Sequence, residues 1–157
     1  MGILSAILVA SENSNLKIFT DNNTAVIKFN SFNRGCISLT ARQNFKTLEL
    51  QNVKLAEGNF DYTLPSVIYH LTSVDLAFID GNHRREPTEN YFHWLLEKAN
   101  SNSIFIFDDI HWSKGMELAW EHIKEHPSVR CSIDLFFIGI IFFRQEFKEK
   151  QHFTIRF

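Results

Sequence analysis

Two apolar runs that each stop on carboxylates constrain this chain more than any other feature. Val74-Asp75-Leu76-Ala77-Phe78-Ile79 is closed by Asp80-Gly81-Asn82-His83, and Ile104-Phe105-Ile106-Phe107 is closed by Asp108-Asp109-Ile110-His111. Short apolar runs with an abrupt acidic stop read as buried parallel strands, and the carboxyl ends of such strands are where open α/β sheets bind ligands.

Strand and helix signals alternate around this pair. Leu16–Thr20 and Val53–Ala56 read as further strands, and Ala25–Phe32 alternates well enough for another between asparagine-rich turns. Helical spacing runs from Ser38 to Leu48, from Pro65 through Leu71, from Pro87 toward Ala99 with Tyr91, Trp94 and Leu95 inward, and from a Ser113 cap through Met116, Ala119, Trp120 and Ile123 to Pro127. Gly2–Ser11 is expected as a short buried helix. Val129–Ile133 and Ile138–Phe143 are too close for a helical crossover and so pair antiparallel, and His152–Phe157 reads as a last edge strand. The order predicts an α/β fold: a three-layer, doubly wound, mostly parallel sheet with a carboxyl-terminal antiparallel hairpin, in a single domain over 1–157.

Composition narrows the class. The 157 residues are 45% hydrophobic, enough for a core, and a net charge of −2 gives no basic footprint for nucleic acid. Cys36 and Cys131 form no C-x-x-C pattern, so reduced thiols and a cytoplasmic setting are expected. The apolar amino terminus lacks a basic region and is too short to span a bilayer; no membrane association is expected.

Successive strands joined by one helix usually lie side by side, about 4.8 Å apart, which would bring Asp80 toward Asp108 and Asp109. Gathered carboxylates repel unless a cation or proton relieves them, and oxygen-rich sets of this kind favour Mg²⁺ or another divalent cation. The same residues also suit an Asp-Gly turn and a helix cap with no metal. His83 and His111 are candidates for a general base near neutral pH or for further ligands. Trp112 either walls a substrate pocket or packs under its loop. The run ending in Asp108-Asp109 is like a Walker B strand, but no G-x-x-x-x-G-K-[ST] loop and no G-x-S-x-G elbow accompany it.

Phe78-Ile79-Asp80-Gly81-Asn82-His83, Phe107-Asp108-Asp109-Ile110-His111-Trp112 and the Ile133-Asp134-Leu135-Phe136 hairpin together resemble class I S-adenosylmethionine-dependent methyltransferases, in the small O-methyltransferase-like subgroup with a D-G-[DN]-H strand end. The resemblance implies a Rossmann-like sheet of seven strands with the seventh antiparallel, and S-adenosylmethionine across its carboxyl edge. By it, Gly58, Asn59 and Phe60 form the loop against the adenine, and Asp80 with His83 lies by the methionine moiety. Asp80, Asp108 and Asp109 complete a metal site of the catechol type, and Asp80 and His111 are the candidates for catalysis. Either Asp21 or the Arg34-Gly35-Cys36 stretch stands where the family holds the ribose. The family's first strand and glycine-rich loop have no counterpart, so the fold is expected to be incomplete at the amino terminus, with 22–33 as an insertion. Either the central slot is open, which predicts self-association, or Ala25–Phe32 or a second chain supplies the strand that fills it.

The expected activity is methyl transfer to a small-molecule hydroxyl, with a small-molecule acceptor as the partner. Two rivals stand beside it: a non-catalytic remnant or interaction module, and a metal-dependent hydrolase or hydroxylase using Asp80, Asp108 and His111.

Overall fold

The computed structural model describes residues 6–10, 16–20, 43, 46–47, 49, 53–57 and 59–156. Its strands are β1 (Ala6–Ala10), β2 (Leu16–Thr20), β3 (Val53–Glu57), β4 (Val74–Asp80), β5 (Ala99–Phe107), β6 (Cys131–Asp134), β7 (Gly139–Phe142) and β8 (Gln151–Thr154). Three helices connect the later strands: α1 (Phe60–Tyr69), α2 (Arg85–Leu96) and α3 (Lys114–Glu125). Among the described residues the strands form one sheet in the order β3-β2-β1-β4-β5-β7-β6-β8. Six strands run one way, while β1 and β7 run the other.

β1 departs from expectation. Gly2–Ser11 was expected as a helix beside an empty central slot; instead Ala6–Ala10 is a strand in that slot, antiparallel to both β2 and β4. Ala-Ile-Leu-Val-Ala has no polar face, so its periodicity does not distinguish a buried strand from a buried helix. The open edges of β2 and β4 decide the matter, because backbone N–H and C=O groups on both need partners and only a strand supplies them along its whole length. The strand expected over Ala25–Phe32, the insertion at 22–33 and the Arg34-Gly35-Cys36 stretch lie outside the described residues. Within the helix expected over Ser38–Leu48, Gln43, Lys46 and Thr47 are helical.

Two helix boundaries move for local reasons. α1 starts at Phe60 rather than at Pro65, because the Asn59 side chain accepts the Asp61 N–H at 2.9 Å and caps the first turn. Pro65 therefore sits inside the helix, where its missing N–H costs one backbone bond. α2 stops at Leu96, and Ala99–Asn100 already belong to β5, pinned by the buried Ser103 hydroxyl donating to the Val74 carbonyl. Ser113 caps α3 as expected by accepting the Met116 N–H.

α1, α2 and α3 share one face of the sheet. Ala77, Ile79, Phe105, Phe107 and Ile141 meet Phe60, Leu64 and Ile68 of α1, Tyr91, Phe92 and Leu95 of α2, and Trp120 and Ile123 of α3, all in one buried cluster. On the opposite face Leu76, Phe78, Ile104 and Ile106 are half-buried. Gly139 is required by packing: a Cβ there would lie 2.6 Å from the Trp120 ring. Among the described residues no helix is long and apolar enough to cross a membrane.

Register fixes where the chemistry lies. Ala6 pairs with Asp80, Ile79 with Phe107, Phe107 with Gly139, Gly139 with Asp134 and Asp134 with Thr154. The last residues of β4, β5 and β6 are thus brought level, and Asp80, Asp108 and Asp134 stand along one edge.

Candidate active site

The edge is built from three turns that each carry a left-handed, non-glycine residue: Asn82 (φ 57°) after β4, Asp109 (φ 54°) after β5 and Phe136 (φ 75°) after β6. Such residues cost of order 1–3 kcal/mol each and persist only where surrounding contacts fix them. Asn82 is fixed by a chain of hydrogen bonds. Its Nδ2 donates to the Tyr91 hydroxyl (3.0 Å), which donates to Asp61 Oδ1 (3.1 Å), and Arg84 Nε donates to Asn82 Oδ1 (2.9 Å). Asn59 caps the helix that carries Asp61, so the ends of β3 and β4 are tied together.

His83 lies at the centre of the acidic group. Its Nε2 is 3.5 Å from Asp80 Oδ1 and 3.7 Å from Asp109 Oδ2, and only 6% of its side chain is exposed. These distances exceed an ordinary N–H···O bond, and the buried Nε2 has no hydrogen-bond partner, so both contacts are electrostatic. The Asp80 carboxylate does most to raise the His83 pKa; burial opposes it, and the charges of Asp109, Asp80 and Asp108 add to the rise. The Asp108 carboxyl is raised by burial first and then by Asp80 and Asp109. Asp108 is anchored through its own N–H, which donates to the Ile79 carbonyl at 2.9 Å.

Asp80, Asp108 and Asp109 are the carboxylates expected to hold a divalent cation. The three carboxylates share one edge, but His83 reaches between Asp80 and Asp109, and among the described residues no three His, Cys, Asp or Glu side chains are arranged to hold a metal ion.

His111 is placed elsewhere. Its Nε2 is 2.9 Å from Asp134 Oδ2, its Nδ1 is 3.4 Å from Glu117 Oε1, and its ring stacks on Phe136 at 5.7 Å. Asp134 also receives Arg156 Nη1 at 3.0 Å and the Phe136 N–H at 2.8 Å. Burial works against the Asp134 carboxylate, yet Arg156, His111 and the Phe136 N–H outweigh it and hold its pKa down to about 2. Both His111 nitrogens thus face carboxylates in a brace for the β6–β7 turn, and the structure joins Asp80 with His83 rather than with His111.

Among the adenine-loop candidates, Phe60 is fully buried and meets Tyr91 edge-on at 5.8 Å, so its ring belongs to the core. Asn59 caps α1, while Gly58 and Asp21 lie outside the described residues. Asp134 was not singled out as a site residue, although it closes the run Cys131-Ser132-Ile133 as Asp80 and Asp108 close theirs. The Asn82–Tyr91–Asp61 chain carries no sequence signal, because its members come from three separate elements.

The strand order, the reversed β7 and the acidic edge after β4 and β5 define a Rossmann-like domain of the class I methyltransferase type. The chain belongs to the family described as Methyltransferase domain, whose model matches residues 3–110. No curated protein sequence matches it significantly. Among solved structures it is similar to the Podospora anserina methyltransferase PaMTH1 bound to SAH (TM-score 0.56, 19% identity, 68% of this chain and 56% of that one). It is also similar to a Klebsiella pneumoniae protein assigned as an O-methyltransferase (TM-score 0.53, 18% identity, 68% and 57%). A third similar structure is apo CalS11, the TDP-rhamnose 3'-O-methyltransferase of calicheamicin biosynthesis (TM-score 0.56, 18% identity, 73% and 56%). The chain spans a little over half the length of these structures.

Proposed function

We propose that this chain binds S-adenosylmethionine across the carboxyl edge of its sheet and transfers the sulfonium methyl to the hydroxyl of a small molecule. The observation that carries this reading is the convergence of Asp80, His83, Asp108 and Asp109 at the ends of two adjacent parallel strands. A fold neighbour solved with SAH, the demethylated cofactor, and two neighbours named as O-methyltransferases support it.

The chemistry follows from the group. As the acceptor oxygen attacks the methyl, its proton must leave, and a carboxylate at hydrogen-bond reach takes it. Asp108 suits this role, because burial and its acidic neighbours favour its protonated form. His83 holds the remaining negative charge in place and keeps Asp80 and Asp109 from repelling one another apart. Orientation of the acceptor in line with the sulfonium supplies the larger share of the rate.

Calorimetric titration with S-adenosylmethionine tests the reading. A saturable heat is expected, and its absence at millimolar cofactor would remove methyl transfer while leaving the fold untouched.

A further inference from the structure

β8 ends the sheet beyond β6, and among the described residues no strand pairs with its outer side. The Gln151 N–H donates to the Arg130 carbonyl at 3.0 Å and the Ile155 N–H to the Asp134 carbonyl at 2.9 Å, so the backbone groups of Gln151, Phe153 and Ile155 face β6. Alternation then turns those of His152 and Thr154 outward. The strand is held from within. His152 Nδ1 is 2.7 Å from the Ser132 hydroxyl and its Nε2 is 3.6 Å from Glu125 Oε1, Lys150 Nζ donates to the Glu125 carbonyl at the end of α3, and Arg156 pairs with Asp134. The cations that could guard this edge are thus drawn back onto the protein, and Gln151–Thr154 contains no lysine, proline or bulge. Phe78, Ile106, Ile140, Ile133 and Phe153 are cross-strand neighbours in one row on the face away from the helices. The first four are half-buried, but Phe153 is 50% exposed, as is 46% of Ile155 two residues on.

We propose that the outer edge of β8 is a homodimer interface, on which β8 of a second copy pairs antiparallel about a two-fold axis at Thr154. The inference stands apart from the methyl-transfer reading. Side-chain chemistry selects the register. An axis at Phe153 would set Lys150 opposite Arg156, and one at His152 would set Ile155 opposite Glu149. An axis at Thr154 instead sets Phe153 opposite Ile155 of the second copy and Thr154 opposite its own counterpart. Aromatic with β-branched and threonine with threonine are favourable cross-strand pairs, whereas like charges directly opposite cost stability. The hydrogen bonds agree with this choice. The two Thr154 residues exchange both N–H···O bonds, His152 does the same with Arg156 of the second copy, and Phe153 and Ile155 fall in the closer pairs that exchange none. The apolar row then continues across the axis into the second copy. Such a contact uses one patch on both partners and closes at two chains.

Sedimentation velocity on the full chain tests the interface, with a change from monomer to dimer expected between about 1 µM and about 1 mM. Thr154→Pro removes an outward donor at the axis, where an edge strand tolerates proline, and should leave a folded monomer. Phe153→Glu and Ile155→Lys should each weaken the dimer at least about tenfold, and an equal mixture of the two should recover wild-type affinity within about threefold. In the mixture the introduced carboxylate and ammonium face each other on one side of the axis, while Ile155 and Phe153 remain opposite on the other. Recovery also shows that both variants are folded. A wild-type monomer at about 1 mM would overturn the inference and leave the edge to a strand of a different protein. A dimer untouched by Thr154→Pro, a mixture of the folded variants that stays monomeric, or growth beyond two chains would overturn it as well.

Discussion

His83 and Asp108 belong to one acidic edge, and both are pushed toward their protonated forms. If Asp108 must be ionised and His83 protonated for turnover, activity against pH is a bell. Its acid limb lies above the ordinary Asp value of about 3.8 and its alkaline limb above 6.5. His83→Gln should lower kcat about a hundredfold and erase the alkaline limb, leaving cofactor affinity within a few fold; an unchanged alkaline limb would assign it to another group. Stability runs the same way. A histidine raised in the folded state stabilises fully below its unfolded value of about 6.5 and loses that contribution as pH rises through the folded value. Thermal melts of the wild type should fall across that window, and those of His83→Gln should not.

Asp108 bears the opposite cost. Its raised pKa means that ionising it opposes folding above the unfolded value, through burial and the repulsion of Asp80 and Asp109. Asp108→Asn should therefore raise Tm at pH 7 by up to about 3 °C while lowering methyl transfer. A fall in Tm would show that contact with His83 outweighs the repulsion. Such a trade of stability for a charged site matches the three left-handed residues along the same edge.

At the scale of elements, β7 and α3 are locked by a missing side chain. Gly139 allows Trp120 to lie flat on the strand that also closes the register with Phe107 and Asp134. Gly139→Ala should destabilise by about 1–3 kcal/mol through overpacking, read as a lower midpoint in urea. A neutral result would mean that the indole can move aside.

β1 makes a sharper demand. Leu8 is opposite Ile18 on one side and Phe78 on the other, at the middle of a central strand. Leu8→Pro removes a ladder donor where proline is not tolerated, costing about 3 kcal/mol or more, and should abolish cooperative unfolding. Hydrogen exchange gives the complementary measurement: the amides of Ala6–Ala10 should be protected nearly as well as those of β4. Rapid exchange there would contradict the strand.

Over the whole molecule, much was legible in the chain because it depends on near neighbours in sequence. An apolar run ended by Asp80 or Asp108 marks a strand end wherever it folds, Ser113 caps the helix that follows it, and Met116, Ala119, Trp120 and Ile123 fall on one buried face as their spacing requires. Those signals located the acidic edge and the family. Other features needed partners that no local pattern names. The direction of β1 was set by two strands with open edges, the start of α1 by Asn59 outcompeting Pro65, and the separation of His83 from His111 by which carboxylate each ring met across the sheet. The sequence by itself determined that carboxylates would gather after β4 and β5. Only the tertiary structure decided that an imidazole would sit among them, because His83 comes into reach of both Asp80 and Asp109 only when register sets the two strand ends level and the turns at Asn82 and Asp109 bend back.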